Sequence, residues 1–270
     1  MDLYVYLWMF IFGTIIGSFL NVVIYRLNTS RKITNSRSVC FSCNKKLYWY
    51  EMIPVLSFLF QKGRCRGCAS RISHQYPIVE FTTGVVFAIL AYYFLPLVFI
   101  NSNMFIFLLS YFVFIFSILI VITVYDIRHK IIPDRLSFTF IFLAFVLMFI
   151  NQSGVGEILV MPSLWQLLAG LIIALPFALL WVISKGRWIG FGDIKLMLGI
   201  GWMLGLSIGL SALIISFWIG AIVGLVLLGL KKIKINLKTE IPFAPFLFIG
   251  TLIAFIFQID VFKLSNFFIF

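Results

Sequence analysis

Charge is scarce in this chain. Only 11% of its 270 residues are charged, and just nine are acidic. Soluble domains carry about a quarter charged residues and roughly half apolar ones, whereas here 63% are hydrophobic. A polar surface cannot be built from that inventory, so membrane lipid is expected to be the solvent for most of the chain. Histidine is scarcer still. His74 and His129 are the two present, and both read as interface residues rather than ligands. A glycine-rich strand–loop–helix pattern is missing, which excludes a dinucleotide-binding α/β fold. Internal repeats and low-complexity linkers are missing too. No positive segment or polar cleavage region precedes Arg26, so the N-terminus is expected to be a retained span rather than a removable signal. The net charge of +12 does not point to nucleic acid, because the basic residues sit between apolar runs rather than on one face. In a membrane protein such charge reports orientation.

Long apolar runs are plentiful, and a spanning helix needs about 20 such residues. Residues 3–25, 136–156, 158–184 and 241–259 give one span each. The 81–125 run is long enough for two helices, joined near Asn101-Ser102-Asn103. The 196–230 run reads as a hairpin of two short helices turning near Leu206 to Ser211. The expected fold is therefore an all-α polytopic membrane protein of about eight transmembrane helices with one polar cytoplasmic loop, residues 26–76. An outside N-terminus places Arg128, Lys130, Arg135, Lys185, Arg187, Lys195, Lys231, Lys232, Lys234, Lys238 and the ten basic residues of that loop on the cytoplasmic side, leaving only Lys263 outside. That asymmetry supports both the count and an arrangement with both termini outside.

The loop is too short to build a stable core without a staple. It holds Cys40-x-x-Cys43 and Cys65-x-x-Cys68, with 21 residues between the pairs. Two such knuckles can close four thiolates around a zinc ion, although the spacing lies just beyond the usual range of about 15–20. Disulfides are rare in the reducing cytoplasm. A structural zinc is the favoured reading, with unligated thiols or a redox dithiol as the alternatives. Four protein ligands leave no open position for catalysis.

With nine acids, each can be weighed. Asp2, Glu157 and Asp260 fall on the outer side or near the termini, and Glu51 and Glu240 fall in loops. Glu80, Asp126, Asp134 and Asp193 remain, all at cytoplasmic ends of spans. Asp193 follows Gly190-Phe191-Gly192, where the glycines permit a non-helical entry and close approach of a substrate strand. Two carboxylates that share one proton can activate water and polarise a carbonyl, and Asp126 with Asp193 is the candidate pair. The plainer alternatives are a helix cap at Asp193 and a boundary ion pair of Asp126 with Arg128 or Lys130. Asp134, after Pro133, reads as a turn or cap more than a catalyst, and Glu80 as a capping or hydrogen-bonding group at the start of the second span more than a functional carboxylate.

The ordered motifs resemble the type IV prepilin peptidase family. They are Gly17-Ser18-Phe19-Leu20-Asn21-Val22-Val23-Ile24-Tyr25-Arg26-Leu27, IPVLSFLFQKGRCRGC at 53–68, ISHQYPIVE at 72–80, DIRHKIIPD at 126–134 and GFGDIKLMLGIG at 190–201. They span nearly the whole chain in the family's order. The resemblance implies a bifunctional enzyme of the bacterial cytoplasmic membrane. Such enzymes remove the basic leader of prepilins or pseudopilins after a glycine, at the cytoplasmic face. They then N-methylate the new terminal residue with S-adenosylmethionine. It implies Asp126 and Asp193 as the catalytic pair, Gly190 and Gly192 as their loop, and Cys40, Cys43, Cys65 and Cys68 as zinc ligands. The family serves type IV pili and protein secretion.

The implied organisation is a first transmembrane helix (1–25), the tetracysteine loop (26–76), forming with that helix a methyltransferase part, and a multi-pass aspartic peptidase domain (77–270). The methyl-transfer residues are not identified. Gly17, Ser18, Asn21 and Arg26 could line a cofactor pocket, but small-residue helix packing is the commoner use in membranes. Gly63 reads as a plain turn. The rival from another class is a zinc-stapled scaffold or carrier without chemistry. Two others are a presenilin-like protease that cuts within a helix and a peptidase that has lost methyl transfer.

Overall fold

A computed structural model describes residues 2–29, 38–152, 155–229 and 242–265. The chain is mostly helical: α1 (Asp2–Arg26), α2 (Leu56–Phe60), α3 (Gln75–Phe94), α4 (Ser102–His129), α5 (Asp134–Leu147), α6 (Leu164–Ser184), α7 (Phe191–Gly229), α8 (Ala244–Phe257) and α9 (Val261–Ser265). Among the described residues extended pairing is limited to isolated bridges. Five helices, within 3–26, 75–99, 102–129, 164–184 and 191–227, are long and apolar enough to cross a membrane. Many of their large apolar side chains face outward, among them Trp8, Phe107, Leu171, Trp218 and Leu225, as lipid-facing helices require. The protein is a multi-pass, all-α membrane protein. The expected inside loop bearing Lys231, Lys232, Lys234 and Lys238 lies outside the described residues.

The chain forms two compact units. One comprises residues 1–98 and 105–121, the other 99–104 and 122–270. The core of the first is the α1–α3 pair. Gly13 and Gly17 face α3, where an added Cβ would stand 2.7 Å from Gly84 Cα and from Glu80 Cα respectively. This is the close backbone approach that small residues four apart allow between membrane helices. Asn21, fully buried, pins the contact by donating from Nδ2 to the Tyr76 carbonyl (3.2 Å) and accepting from Gln75 (3.4 Å). Gly17 and Asn21 are thus packing residues.

In the second unit α7 is the hub, packing against α5, α6 and α8. Glycines again set the spacing: Gly201 meets Gly170 of α6, Gly199 meets Phe140 of α5, and Gly250 of α8 meets Ala212 and Ser216. Trp202 Nε1 donates to the Leu167 carbonyl at 2.9 Å. Helical geometry breaks at Gly205 (φ 76°, ψ 178°), a region essentially restricted to glycine. The break falls one residue before the turn expected at Leu206 to Ser211.

Three helices differ from the apolar runs, among them α8, which takes only 14 residues (Ala244–Phe257) of the 241–259 run. The 136–156 run yields only the 14-residue α5, about 21 Å at 1.5 Å per residue. The chain then turns, and Asn151 closes that turn by donating to the carbonyls of Val155 and Glu157. The 158–184 run becomes helical only at Leu164, after a capping box at Ser163 and Gln166. By contrast, the break expected near Asn101 is present, with Asn101 capping α4 through Met104 N–H.

Candidate active site and tetracysteine loop

Asp126 lies in the last turn of α4, and Asp193 in the first turn of α7. Asp126 is 5% exposed, and its carboxylate faces the start of α8, where the Ala244 main-chain N–H donates to Oδ2 at 3.3 Å. A helix N-terminus is a natural anchor for negative charge. The two Asp side chains are close enough for their charges to interact. Asp193 Oδ2 lies near Gly190, while Asp193 Oδ1 is buried with no hydrogen-bond partner among the described residues. A buried carboxylate oxygen without a partner is costly when ionised.

The simpler readings of these residues fare differently. Asp126 joins none of the described ion pairs, so pairing with Arg128 or Lys130 is not its state. Asp193 is not the cap of α7, because the helix begins at Phe191. For the same reason the expected non-helical entry is corrected: Gly192 is helical, and neither Gly190 nor Gly192 has a positive φ. Gly192 is needed for space, and Gly190 sits where an added side chain would be tight. A Cβ on Gly192 would lie 2.6 Å from Ile132 Cβ, and one on Gly190 would lie 3.2 Å from Asp193 Oδ2.

Asp134 begins α5 and accepts from Lys195 Nζ at 2.6 Å. Lys195 is buried, and its ammonium stands 4.8 Å from the Phe138 ring centre and 4.7 Å from that of Phe191. This clamp ties the starts of α5 and α7 together beside Asp193. Sequence reasoning missed Lys195 as its partner. The signal was an ammonium two residues after Asp193 in an otherwise apolar run. The Ala244 N–H was equally missed, although the prolines at 242 and 245 mark a helix start there.

In the first unit the four cysteine sulfurs lie within 4.8 Å of one another. A tetrahedral zinc with Zn–S near 2.3 Å sets its sulfurs about 3.8 Å apart, and Cys40 and Cys68 are already at 3.9 Å. The two knuckles have the same backbone plan. Cys40 N–H donates to Lys45 O and Asn44 N–H to Cys40 O, while Cys65 N–H donates to Ser70 O and Ala69 N–H to Cys65 O. Asn44 and Ala69 occupy matching left-handed turns, with φ of 55° and 56°. The Cys43 main-chain N–H, against some desolvation, brings the Cys40 thiol down to about 6. The Ser70 hydroxyl and N–H lower Cys68 as well. The Lys45 main-chain N–H also pulls on Cys43, but desolvation and the Cys68 and Cys40 thiols outweigh it and push Cys43 up to about 11. This donor set fits zinc. His74 and His129 lie elsewhere, packed against Phe58 and Tyr125.

Between α1, the loop and α3 is a cavity of about 330 Å³ lined by Ser18, Arg26, Cys40, Cys65, Tyr76 and Glu80 among others. Of the candidate cofactor residues, Ser18 and Arg26 reach it. Gly63 takes a positive φ of 66° in the turn after α2, as a plain turn residue would.

Residues 11–94 match the Bacterial Peptidase A24 N-terminal domain, and residues 113–225 match the Type IV leader peptidase family. The chain belongs to the type IV leader peptidase family. Curated members align along almost its full length. A Bacillus subtilis (strain 168) protein is 36% identical over 256 residues, covering 92% of this chain and 93% of its own. A Vibrio cholerae protein is 30% identical over 264 residues (93% and 97%), and an Aeromonas salmonicida (strain A449) protein is 29% identical over 273 residues (91% and 88%). Each is named a prepilin leader peptidase/N-methyltransferase. No solved structure matches the chain. The tetracysteine loop and Glu80 fall in the N-terminal family domain, and both Asp126 and Asp193 fall in the leader peptidase domain.

Proposed function

We propose that this protein is a bifunctional prepilin leader peptidase and N-methyltransferase of the bacterial cytoplasmic membrane. Asp126 and Asp193 form its peptidase dyad at the cytoplasmic boundary. The observation that carries this reading is two carboxylates from the ends of separate helices, the buried Asp126 held by a helix N-terminus and the half-buried Asp193 with one buried oxygen that has no described partner. Such a pair holds one proton between its members. The ionised carboxylate takes a proton from water as the oxygen attacks the scissile carbonyl. The protonated one donates to the developing oxyanion, then passes its proton to the leaving amine. The substrate is a prepilin or pseudopilin whose basic leader ends where its membrane helix begins, so the bond to be cut lies at the depth where water is available.

The chain is read as eight spans with both termini outside, α7 counting twice because of the break at Gly205. Cys40, Cys43, Cys65 and Cys68 would hold a structural zinc, which folds the loop and leaves no open position for chemistry. S-adenosylmethionine would supply the methyl group, and the cavity beside α1 in the N-terminal part is the site for its transfer. Reconstituted protein with a prepilin-like substrate tests both activities by mass spectrometry. Wild type should remove the leader and add about 14 Da for the methyl group, while Asp126→Asn and Asp193→Asn should each lose cleavage by roughly 10²–10⁴-fold. Unchanged cleavage in both variants would remove the dyad from the mechanism and favour the scaffold reading.

A further inference from the structure

Glu80 is a carboxylate the peptidase chemistry does not use. It is 6% exposed on α3, in an environment where an unpaired charge is costly. None of the described ion pairs involves it. Its described hydrogen bond comes from a neutral donor, Val55 N–H at 2.7 Å to Oε2, and Ser18 lines the same cavity wall. The Val55 contact comes at a conformational cost. Val55 has φ 59° and ψ −52°, and Leu56 N–H donates to Pro54 O across it. That is a γ-turn of the rare positive-φ kind, here at a β-branched residue, where positive φ is a genuine outlier. Strain of this sort persists where the surroundings enforce it, commonly at functional sites. Both Glu80 and Ser18 line the 330 Å³ cavity, whose walls include Tyr25, Phe41, Phe58 and Tyr76.

We infer that Glu80 is the group that receives the substrate's new α-ammonium in this cavity and takes its proton before methyl transfer. The inference rests on the methyltransferase reading above. A carboxylate accepts about four hydrogen bonds, and one donor is described in place, so capacity remains for an ammonium. Attack on the methyl carbon needs the amine's lone pair free of its proton, and Glu80 is the cavity carboxylate outside the described ion pairs, which assigns it to the amine. The tyrosine and phenylalanine faces favour a cation and an apolar terminal side chain. Glu51, the other carboxylate on the cavity wall, is taken by Lys45 and the Tyr48 N–H. The step balances. The α-ammonium gives one proton to Glu80, and the free amine's lone pair attacks the methyl carbon of the sulfonium. The carbon–sulfur bond breaks with its electron pair going to sulfur. The products are a secondary ammonium, a neutral thioether and a protonated Glu80, which returns its proton to water.

The test uses full-length protein in nanodiscs, wild type and Glu80→Gln, the glutamine carbonyl still accepting from Val55 N–H. Three quantities are measured: leader removal from a prepilin, methyl transfer to a pre-cleaved pilin helix with S-adenosylmethionine, and binding of that helix with a free or an acetylated N-terminus. Expected are wild-type leader removal by Glu80→Gln, methyl transfer reduced about 100-fold or more, and loss of a preference for the free amine that wild type shows. Methyl transfer at the wild-type rate overturns the assignment, as does a free-amine preference that survives. Lost leader removal with intact methyl transfer overturns it in favour of recognition of the cationic leader. Equal loss of both activities with a lower melting temperature overturns it in favour of a structural role. If wild type itself transfers no methyl group, the methyltransferase reading fails instead, and the proton-taking role with it.

Discussion

Lys195 and Asp134 show how burial decides what a single residue is worth. The aspartate side chain is 71% exposed and the lysine side chain only 10%. Removing Lys195 returns Asp134 to water, whereas removing Asp134 leaves a buried ammonium facing Phe138 and Phe191 alone. The half-exposed pair is worth about 1 kcal/mol at most by comparison with surface ion pairs. Asp134→Ala should therefore lower thermal stability in detergent modestly, with cleavage falling further because Asp193 sits two residues from Lys195. Lys195→Met, which keeps the apolar stem, should be nearly neutral for stability, and a double-mutant cycle would read the coupling directly. At the same scale, Gly192→Ala forces its new methyl against Ile132. It should reduce cleavage, and Ile132→Ala in the same chain should restore part of it.

At the scale of elements, α7 and the tetracysteine loop make separate predictions. Gly205 has nothing within 4 Å of where a Cβ would stand, and the same is true of Gly224. Sterics with neighbours therefore cannot distinguish them, but backbone conformation does. Gly205→Ala should cost about 1–3 kcal/mol for a side chain held in a glycine-only region. Gly224→Ala, inside regular helix, should be neutral or stabilising by up to about 1 kcal/mol. Thermal unfolding of both variants in one detergent checks the contrast. For the loop, a chelator or Cys40→Ser should release zinc, measurable by a colorimetric metal assay. Methyl transfer should then fall while the chain still inserts and still cleaves. Equal loss of insertion and both activities would argue against that division of labour.

For the molecule as a whole, charge and apolar length set how it meets the membrane. If the positive-inside rule governs, reporters fused after Lys185 should be cytoplasmic and one fused after Lys263 should be external. An external signal after Lys185 would break the eight-span reading. The two compact units and the two family matches divide the candidate residues in the same sense, the four cysteines and Glu80 in one and Asp126 and Asp193 in the other.

Composition and spacing by themselves determined that the chain lives in lipid, that its cysteines form two matched knuckles, and that few carboxylates are candidates for chemistry. These are properties of which residues occur and how far apart they stand. Tertiary structure decided how those residues are used, because burial, helix starts and close packing depend on partners distant in sequence. It assigned Asn21 and Gly17 to packing, set Ala244 N–H on Asp126 across more than a hundred residues, and made Gly192 a matter of room rather than flexibility. It also shortened α5 and joined Glu80 to a strained Val55. No local pattern announces that last contact, since a valine with positive φ is stable only when the rest of the fold holds it there.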